Sequence, residues 1–320
     1  MTNTARRPFA IGVDVGGTKL EAIVLDPAGV EVWRERVATP QADYGAMLQA
    51  IASLVARARA TIGGAAHTLG FGTPGSATPE GLMKNCNSTQ INGRALQRDL
   101  EALLGQPVRL ANDANCLAMS EATDGAGAGA GVVFAAILGT GVGAGIVVHG
   151  RLLTGPNALA GEWGHNPLPW AEGGDPYWRC YCGQSGCIET ALSGPGLARD
   201  HAERHGGRLG AAEIAGRARA GQGDCAATIA RWEHRLARAL AHVINLLDPD
   251  VIVLGGGLSR IERCYTNVPA LWSQWVFSGG VRDPVRTQLL PSRHGDSSGV
   301  RGAAWLWRDD TEASQPLAHI

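Results

Sequence analysis

The sequence predicts an α/β chain of two similar lobes, and three observations carry that prediction. Apolar runs of strand length end on glycine clusters ("DVGGTK", "GTPGS", "GTGVGAG", "GGGLS"), a strand–glycine turn–strand unit occurs twice, and amphipathic segments lie between these runs. Glycine accounts for 45 of 320 residues, about twice its usual ~7%. It is concentrated in the loops rather than spread as low complexity.

The elements follow in order. Residues 10–25 read as strand, glycine turn and strand, with alternating apolar positions on the second arm. Residues 45–61 read as a helix, because Met47, Leu48, Ile51, Leu54 and Val55 recur at helical spacing. "TLGFGTPGS" is a short strand running into a loop, residues 94–104 look helical, and "VRLAND" is a strand ending on polar residues before a helix in "ANCLAMSEA". "GVVFAAILGTGVGAGIVVHGRLL" repeats the opening pattern, which suggests an internal duplication. A helix near 229–247 leads to "PDVIVLGGGLS", a buried strand with a third glycine loop. "HGDSSGVRGAAWLW" reads as a helix capped by Asp296 or a following serine, and the tail after Trp307 is polar. The two repeated turns offer backbone N–H groups to an anion, so together they could hold a nucleotide polyphosphate between two lobes.

Composition limits the alternatives. With 28 basic and 29 acidic residues and a net charge of −1, nothing points to nucleic acid or a membrane surface. No apolar run approaches a membrane span and the start has no signal-peptide pattern, so a cytoplasmic chain is expected. Of seven cysteines, Cys86, Cys116, Cys225 and Cys264 are scattered in ordinary segments. A disulfide framework is therefore not expected. Cys180, Cys182 and Cys187 are set apart by their spacing in "CYCGQSGC".

"DVGGTK", "LANDANCLAMSEA", "ILGTGVGAGIV", "GEWGH", "CYCGQSGCIE" and "VIVLGGGLS" resemble, in this order and over nearly the whole chain, the ROK family of sugar kinases. The resemblance implies the actin-like, hexokinase-type two-lobed fold of duplicated ribonuclease-H-like domains. The expected lobes are residues 1–121 and 122–299, with a C-terminal helix over 300–320 packing back on the first. Within the family, "KNCNSTQINGRAL", "GEWGHNPLPW" and "HGDSSGVRGAAWLW" look most similar to bacterial fructokinases, or mannofructokinases. That implies phosphorylation of the 6-hydroxyl of D-fructose, with mannose or glucose as further substrates. The alternatives are an N-acetylhexosamine kinase or glucokinase of the same family, and a sugar-sensing regulator that does not phosphorylate. Only about ten residues precede the first glycine loop, too few for the helix-turn-helix of the repressor branch. A homodimer is expected from the family.

The resemblance assigns roles residue by residue. ATP phosphates would lie on Gly16, Gly17 and Thr18, with Asp14 near Mg²⁺ and Lys19 adding positive charge. A plain hairpin is the competing explanation of that turn. Gly139, Thr140, Gly141 and Gly143 would form the second phosphate turn. Gly255, Gly256 and Gly257 would form the adenosine-side loop, where tight helix–strand packing is the plainer explanation. Asp113 matches the family's general base, although a helix N-cap is the bland reading of an aspartate at that position. Asn112, Asp113, Glu162, His165 and Glu189 would surround the hexose with Gly75 and Ser76 nearby, and Asn87 is a candidate specificity residue. The zinc motif of the family, a histidine followed by C-x-C-G-x-x-G-C, is matched by His165, Cys180, Cys182 and Cys187. Four protein ligands leave no open position, so that zinc is expected to be structural. His165 would ligate through one ring nitrogen and offer the other to a sugar hydroxyl.

Overall fold

The computed structural model describes residues 8–41, 43–86, 88–278 and 283–308. In chain order these form β1 (Phe9–Val15), β2 (Lys19–Leu25), β3 (Glu31–Ala38), α1 (Tyr44–Thr61), β4 (His67–Thr73), β5 (Ser76–Ala77), β6 (Met83–Lys84), α2 (Leu96–Leu104), β7 (Arg109–Asn112) and α3 (Asp113–Thr123). There follow β8 (Val132–Leu138), β9 (Val142–Val148), β10 (Arg151–Leu152), α4 (Ile188–Leu192), α5 (Gly194–His205), α6 (Ala211–Arg219), α7 (Gly223–Leu247), β11 (Val251–Gly255), α8 (Cys264–Leu271), β12 (Gln288–Pro291) and α9 (Ser298–Trp305). The chain divides into two compact units. The first holds the chain up to Asp124, the segment Gly150–Leu159 and the chain from Asp296; the second holds Gly125–His149 and Ala160–Gly295. The segment with β10, expected in the second lobe, thus groups with the first.

The first unit is built on a sheet of order β3-β2-β1-β4-β7. β1 and β2 form an antiparallel hairpin, while β4 lies parallel to β1 and β7 parallel to β4. Helix α1 starts where expected because the Asp43 side chain accepts from the Ala46 N–H at 3.0 Å, a cap worth ~1 kcal/mol. Its stripe of Met47, Ile51, Leu54, Val55 and Ala58 is buried, packing with Ile11, Val13, Leu69 and Phe71 in one core. Each fully buried side chain of this size contributes about 1.5–3 kcal/mol. Helix α9 begins slightly before the expected range and its described part ends at Trp305; residues beyond 308 of the expected 300–320 helix lie outside the described residues. The N-cap position of α9 is Ser297, without a side-chain cap bond. Instead the Ser298 hydroxyl donates to the buried Glu121 carboxylate at 2.9 Å. Two glycines let α9 approach so closely: a Cβ on Gly302 would lie 1.7 Å from the Cys116 carbonyl, and one on Gly70 would lie 1.9 Å from that of Ala303.

The second unit repeats the strand logic. β8 and β9 are antiparallel, β11 is parallel to β8 and β12 parallel to β11. The shared hairpin-then-parallel order is the structural counterpart of the repeated sequence pattern. Helix α7, read from sequence as starting near 229, begins at Gly223 and runs through the core of this unit. Its Trp232 is fully buried and donates through Nε1 to the Leu192 carbonyl at 3.0 Å. No described helix is long and apolar enough to cross a membrane.

Candidate active-site elements and metal cluster

In the first unit Asp14 stands near the end of β1, two residues before the Gly16–Gly17 turn. The turn closes through the Gly16 N–H to the Lys19 carbonyl at 3.0 Å. Two residues that sequence reading did not single out brace it: the Thr39 hydroxyl donates to the Gly16 carbonyl and the Gln41 amide to that of Gly17, both at 2.7 Å. Thr18 receives the Thr39 N–H on its carbonyl at 3.0 Å. Ser88 is buried, and its hydroxyl, without a hydrogen-bond partner among the described residues, lies 3.3 Å from where a Gly17 Cβ would stand. Burial, with the negative charge of Glu21, pushes the Asp14 carboxyl up to about 6; Lys19 and Arg36 oppose the shift and Asp113 adds to it.

This has a consequence for stability. The folded-state value lies above the ordinary 3.8, so the unfolded chain binds fewer protons between about pH 4 and 6 and stability falls as pH rises through that window. Asp14→Asn is expected to stabilise the metal-free protein at pH 7 by about 2–3 kcal/mol, at ~1.36 kcal/mol per tenfold, and to flatten its stability over that range. Urea denaturation at a series of pH values measures both; an Asn variant no more stable than the parent at pH 7 contradicts the electrostatic account.

Asp113 is the first residue of α3, and the cap is its neighbour. The Asn112 side-chain oxygen accepts from the Asn115 N–H at 2.7 Å, and Asp113 Oδ1 accepts from the Ala114 N–H at 2.8 Å. The N-cap reading of Asp113 is thereby corrected to Asn112. Capping occupies the oxygen of Asn112 and leaves its Nδ2 as the donor a ligand could use. Gly75 and Ser76 belong to the β5–β6 hairpin, where Gly75 (φ +73°) passes so close to β6 that a Cβ would lie 2.2 Å from the Lys84 carbonyl. Asn87 lies outside the described residues.

In the second unit the β8–β9 turn carries Gly139, Thr140 and Gly141, with Gly143 inside β9 paired to Ile137. Glu189, in the first turn of α4, accepts the Val142 N–H on Oε2 at 3.0 Å. This carboxylate therefore leans on the glycine turn. Thr140, Glu189 and Tyr181 are among the residues around a cavity of about 220 Å³. At the third loop, Gly256 (φ +81°) would set a Cβ 2.5 Å from the Leu138 carbonyl. Strand packing is thus enough to require that glycine; Gly255 ends β11 and Gly257 begins a short 3-10 turn.

"GEWGH" is fixed against β9 by its glycines. A Cβ on Gly161 or on Gly164 would lie 2.0 Å from the carbonyls of Ala144 and Val142 respectively. Trp163 packs edge-on against Phe134, with ring centroids 5.4 Å apart. The turn thereby holds Glu162 and His165 close to the strand that begins at Val142. The neighbouring chain doubles back through Pro167 and Cys187, which pair as an isolated bridge, and the Ile188 N–H donates to the Asn166 carbonyl at 2.9 Å. The result brings His165, Cys180, Cys182 and Cys187 together, with one ligand-type atom from each lying within 4.8 Å of all the others. His165 Nδ1 lies 3.6 Å from Cys180 Sγ, and Cys182 Sγ lies 3.6 Å from Cys187 Sγ. Sulfurs ~2.3 Å from a tetrahedral ion would be about 3.8 Å apart, whereas a disulfide would need ~2.05 Å. The donor set and spacing fit a metal ion. The second nitrogen of His165 is not open as expected: Nε2 lies 3.0 Å from the Tyr181 hydroxyl.

The segment between the first and second of these ligands is anchored by ion pairs that sequence reading missed. Asp175 accepts from Arg235 at 3.0 Å and forms an ion pair with Arg238 at 2.7 Å, both buried on α7, and Arg235 also reaches Asp200 at 3.0 Å. No local motif announces this network, because its members lie 35 to 63 positions apart in sequence.

Comparison with known proteins identifies the family and the fold. The ROK family profile matches residues 10–310. The N-acetyl-D-glucosamine kinase of Photobacterium profundum is 38% identical over 301 residues, covering 92% of this chain and 98% of the relative. That of Shigella boydii serotype 4 is 38% identical over 314 residues, covering 93% and 99%. Among solved structures, a ROK hexokinase from Thermus thermophilus superposes with a TM-score of 0.83 at 28% identity, over 96% of this chain and 100% of that one. A ROK family glucokinase from Streptomyces griseus in complex with glucose and AMPPNP gives 0.73 at 29% identity, over 94% and 99%. On sequence, fold and the constellation of residues alike, the chain belongs to the ROK family and is a sugar kinase on the actin-like, hexokinase-type fold.

Proposed function

We propose that the protein is an N-acetyl-D-glucosamine kinase that transfers the γ-phosphoryl group of ATP to the 6-hydroxyl of its sugar. The observation that carries this reading is the run of N-acetyl-D-glucosamine kinases at 37–39% identity over more than nine-tenths of both chains. It replaces the fructose expectation, whose supporting segments also answer to packing. The segments behind it are constrained by packing. "GEWGH" is shaped by its contact with β9, "GVRGAAW" by the close approach of α9, and "CNSTQIN" by mutual bonds between Cys86 and Asn92 at 2.9 and 3.1 Å.

Asp113 is the general base, taking the proton of the attacking hydroxyl late in the transfer. Asp14 would hold the Mg²⁺ of the nucleotide. Carboxylates crowded at a strand end, as Asp14 is with Glu21 and Asp113, suit a hard divalent cation. That cation, when bound, neutralises phosphate charge. The braced Gly16–Thr18 turn, with Lys19, and the Gly139–Gly141 turn present N–H groups and positive charge to phosphate oxygens. Glu162 and Glu189 accept hydrogen bonds from sugar hydroxyls, and a zinc ion on His165, Cys180, Cys182 and Cys187 would fix the loops that carry them.

A coupled ADP-release assay over N-acetyl-D-glucosamine, N-acetylmannosamine, glucose, mannose and fructose tests the reading. The kcat/KM for N-acetyl-D-glucosamine is expected to exceed that for fructose at least ~100-fold, since a site that pairs with the acetamido group leaves polar groups unmet by a sugar lacking it. Highest kcat/KM with fructose restores the original expectation.

A further inference from the structure

Three strands of the first unit place charged residues in one row. Across β1 and β2, Asp14 stands opposite Glu21; across β2 and β3, Glu21 stands opposite Arg36. Directly paired residues share a face of the sheet, with Cβ atoms about 4.5–5.5 Å apart. Glu21 is almost completely buried, yet it gathers three cations: Arg36 at 2.8 Å, Lys19 at 3.6 Å, and Arg34 through Oε1. Arg34 has a second acidic partner in Glu31. The ion pairs of Lys19 and Arg36 found among the described residues are both to Glu21.

This arrangement has a clear electrostatic logic. Two carboxylates side by side repel, and three cations nearby would be drawn to both. The ion pairs show which acid holds them: each of the three cations is paired to Glu21. If the charge of Glu21 were removed, the nearest buried carboxylate in the row would be Asp14, and Lys19 and Arg36 would turn toward it.

We propose that Glu21 is a positioning residue of the nucleotide site, an acidic decoy that holds Lys19 and Arg36 away from Asp14 and so leaves the Asp14 carboxylate free for the nucleotide's divalent cation. The inference rests on the reading of Asp14 as the residue facing that cation. Glu21 touches neither substrate nor reacting atoms; its effect passes through the cations it restrains. The row also sets where Lys19 sits, because its ammonium group is tethered beside the phosphate turn.

The test is ADP binding by titration calorimetry over a series of Mg²⁺ concentrations, with no sugar and no turnover. In Glu21→Gln, an isosteric change, the Mg²⁺ concentration needed for half-maximal tightening of ADP is expected to rise about tenfold, because a buried charge is removed and a competing ion pair forms at Asp14. The double variant Glu21→Gln/Arg36→Gln is expected to recover most of that loss, since one competing cation is gone. A merely structural role for Glu21 predicts the opposite, a double variant at least as impaired as the single one. Should Glu21→Gln fail to fold, Glu21→Asp keeps the charge and is expected to stay within about threefold of the parent; a tenfold shift there would overturn the decoy role. An unchanged Mg²⁺ requirement in folded Glu21→Gln, or no recovery in the double variant, also overturns it. Asp14→Asn separates the two levels. If it abolishes the Mg²⁺ dependence while Glu21→Gln leaves it intact, the decoy role fails and the reading of Asp14 stands. If Asp14→Asn changes nothing, the reading of Asp14 falls and the proposal with it.

Discussion

Asp113→Asn is expected to lower kcat by about 10²–10⁴-fold, the range spanned by a positioned general base, while the fold and the sugar affinity are retained. The local backbone contacts of Asp113 suit the substitution. Asp113 lies at the first position of α3 and uses Oδ1 to accept the Ala114 N–H, a bond that an asparagine oxygen can keep. Asn112, not Asp113, caps the helix, so no cap is lost. The substitution removes one negative charge beside Asp14 and, on the proposed reading, the acceptor of the hydroxyl proton. The lost charge should relax the Asp14 carboxyl downward, since Asp113 contributes to holding it high. Single-turnover kinetics with saturating ATP, together with thermal melts and sugar titration, decide the matter. Turnover within tenfold of the parent in a folded variant would remove Asp113 from the role of base.

Removal of the metal from the His165–Cys180–Cys182–Cys187 cluster is the second large effect. Outside helix and sheet, the loops concerned are positioned by turn hydrogen bonds, isolated bridges and close glycine approaches. On the proposed reading a zinc ion would add to that order, and a metal-free protein is expected to lose several kcal/mol of stability. The sugar KM should rise about tenfold or more while the KM for ATP stays within about twofold, because Glu189 follows Cys187 by two residues and Glu162 shares the turn of His165. Atomic emission for bound zinc, melting curves and paired KM values on chelated protein and on Cys187→Ser give the comparison. Chelated protein with an unchanged sugar KM would show that the cluster stabilises the loops without shaping the sugar contacts.

Much of this was legible in the sequence because it depends on local constraints. The helix at 45–61 was readable from its apolar spacing. The two glycine turns were readable from glycine after apolar strands, and the His/Cys cluster from three cysteines in eight positions. Glu21 was within reach too: counting outward from the Gly16–Gly17 turn puts residue 21 opposite residue 14. What hid it is that an acidic residue within a strand usually signals a solvated face, and only the three cations converging on it reveal a buried one. The choice of sugar was less legible, since some of the segments compared are also under packing constraint from backbone approaches at Gly161, Gly164 and Gly302.

By itself the sequence determined the α/β class, the duplicated strand–turn–strand plan, the family, and the four residues that could share a metal ion. The class and plan rest on periodicity and on glycine where a backbone must turn, and the family and the ligand set on motifs matched in order along the chain. Only the tertiary structure decided which residue caps α3, where Nε2 of His165 points, which arginines hold Asp175, and which acid gathers the cations of the first unit. Each of those is a choice among partners that the chain order leaves open. Their energies depend on register and burial, which are fixed only when the strands and helices have packed.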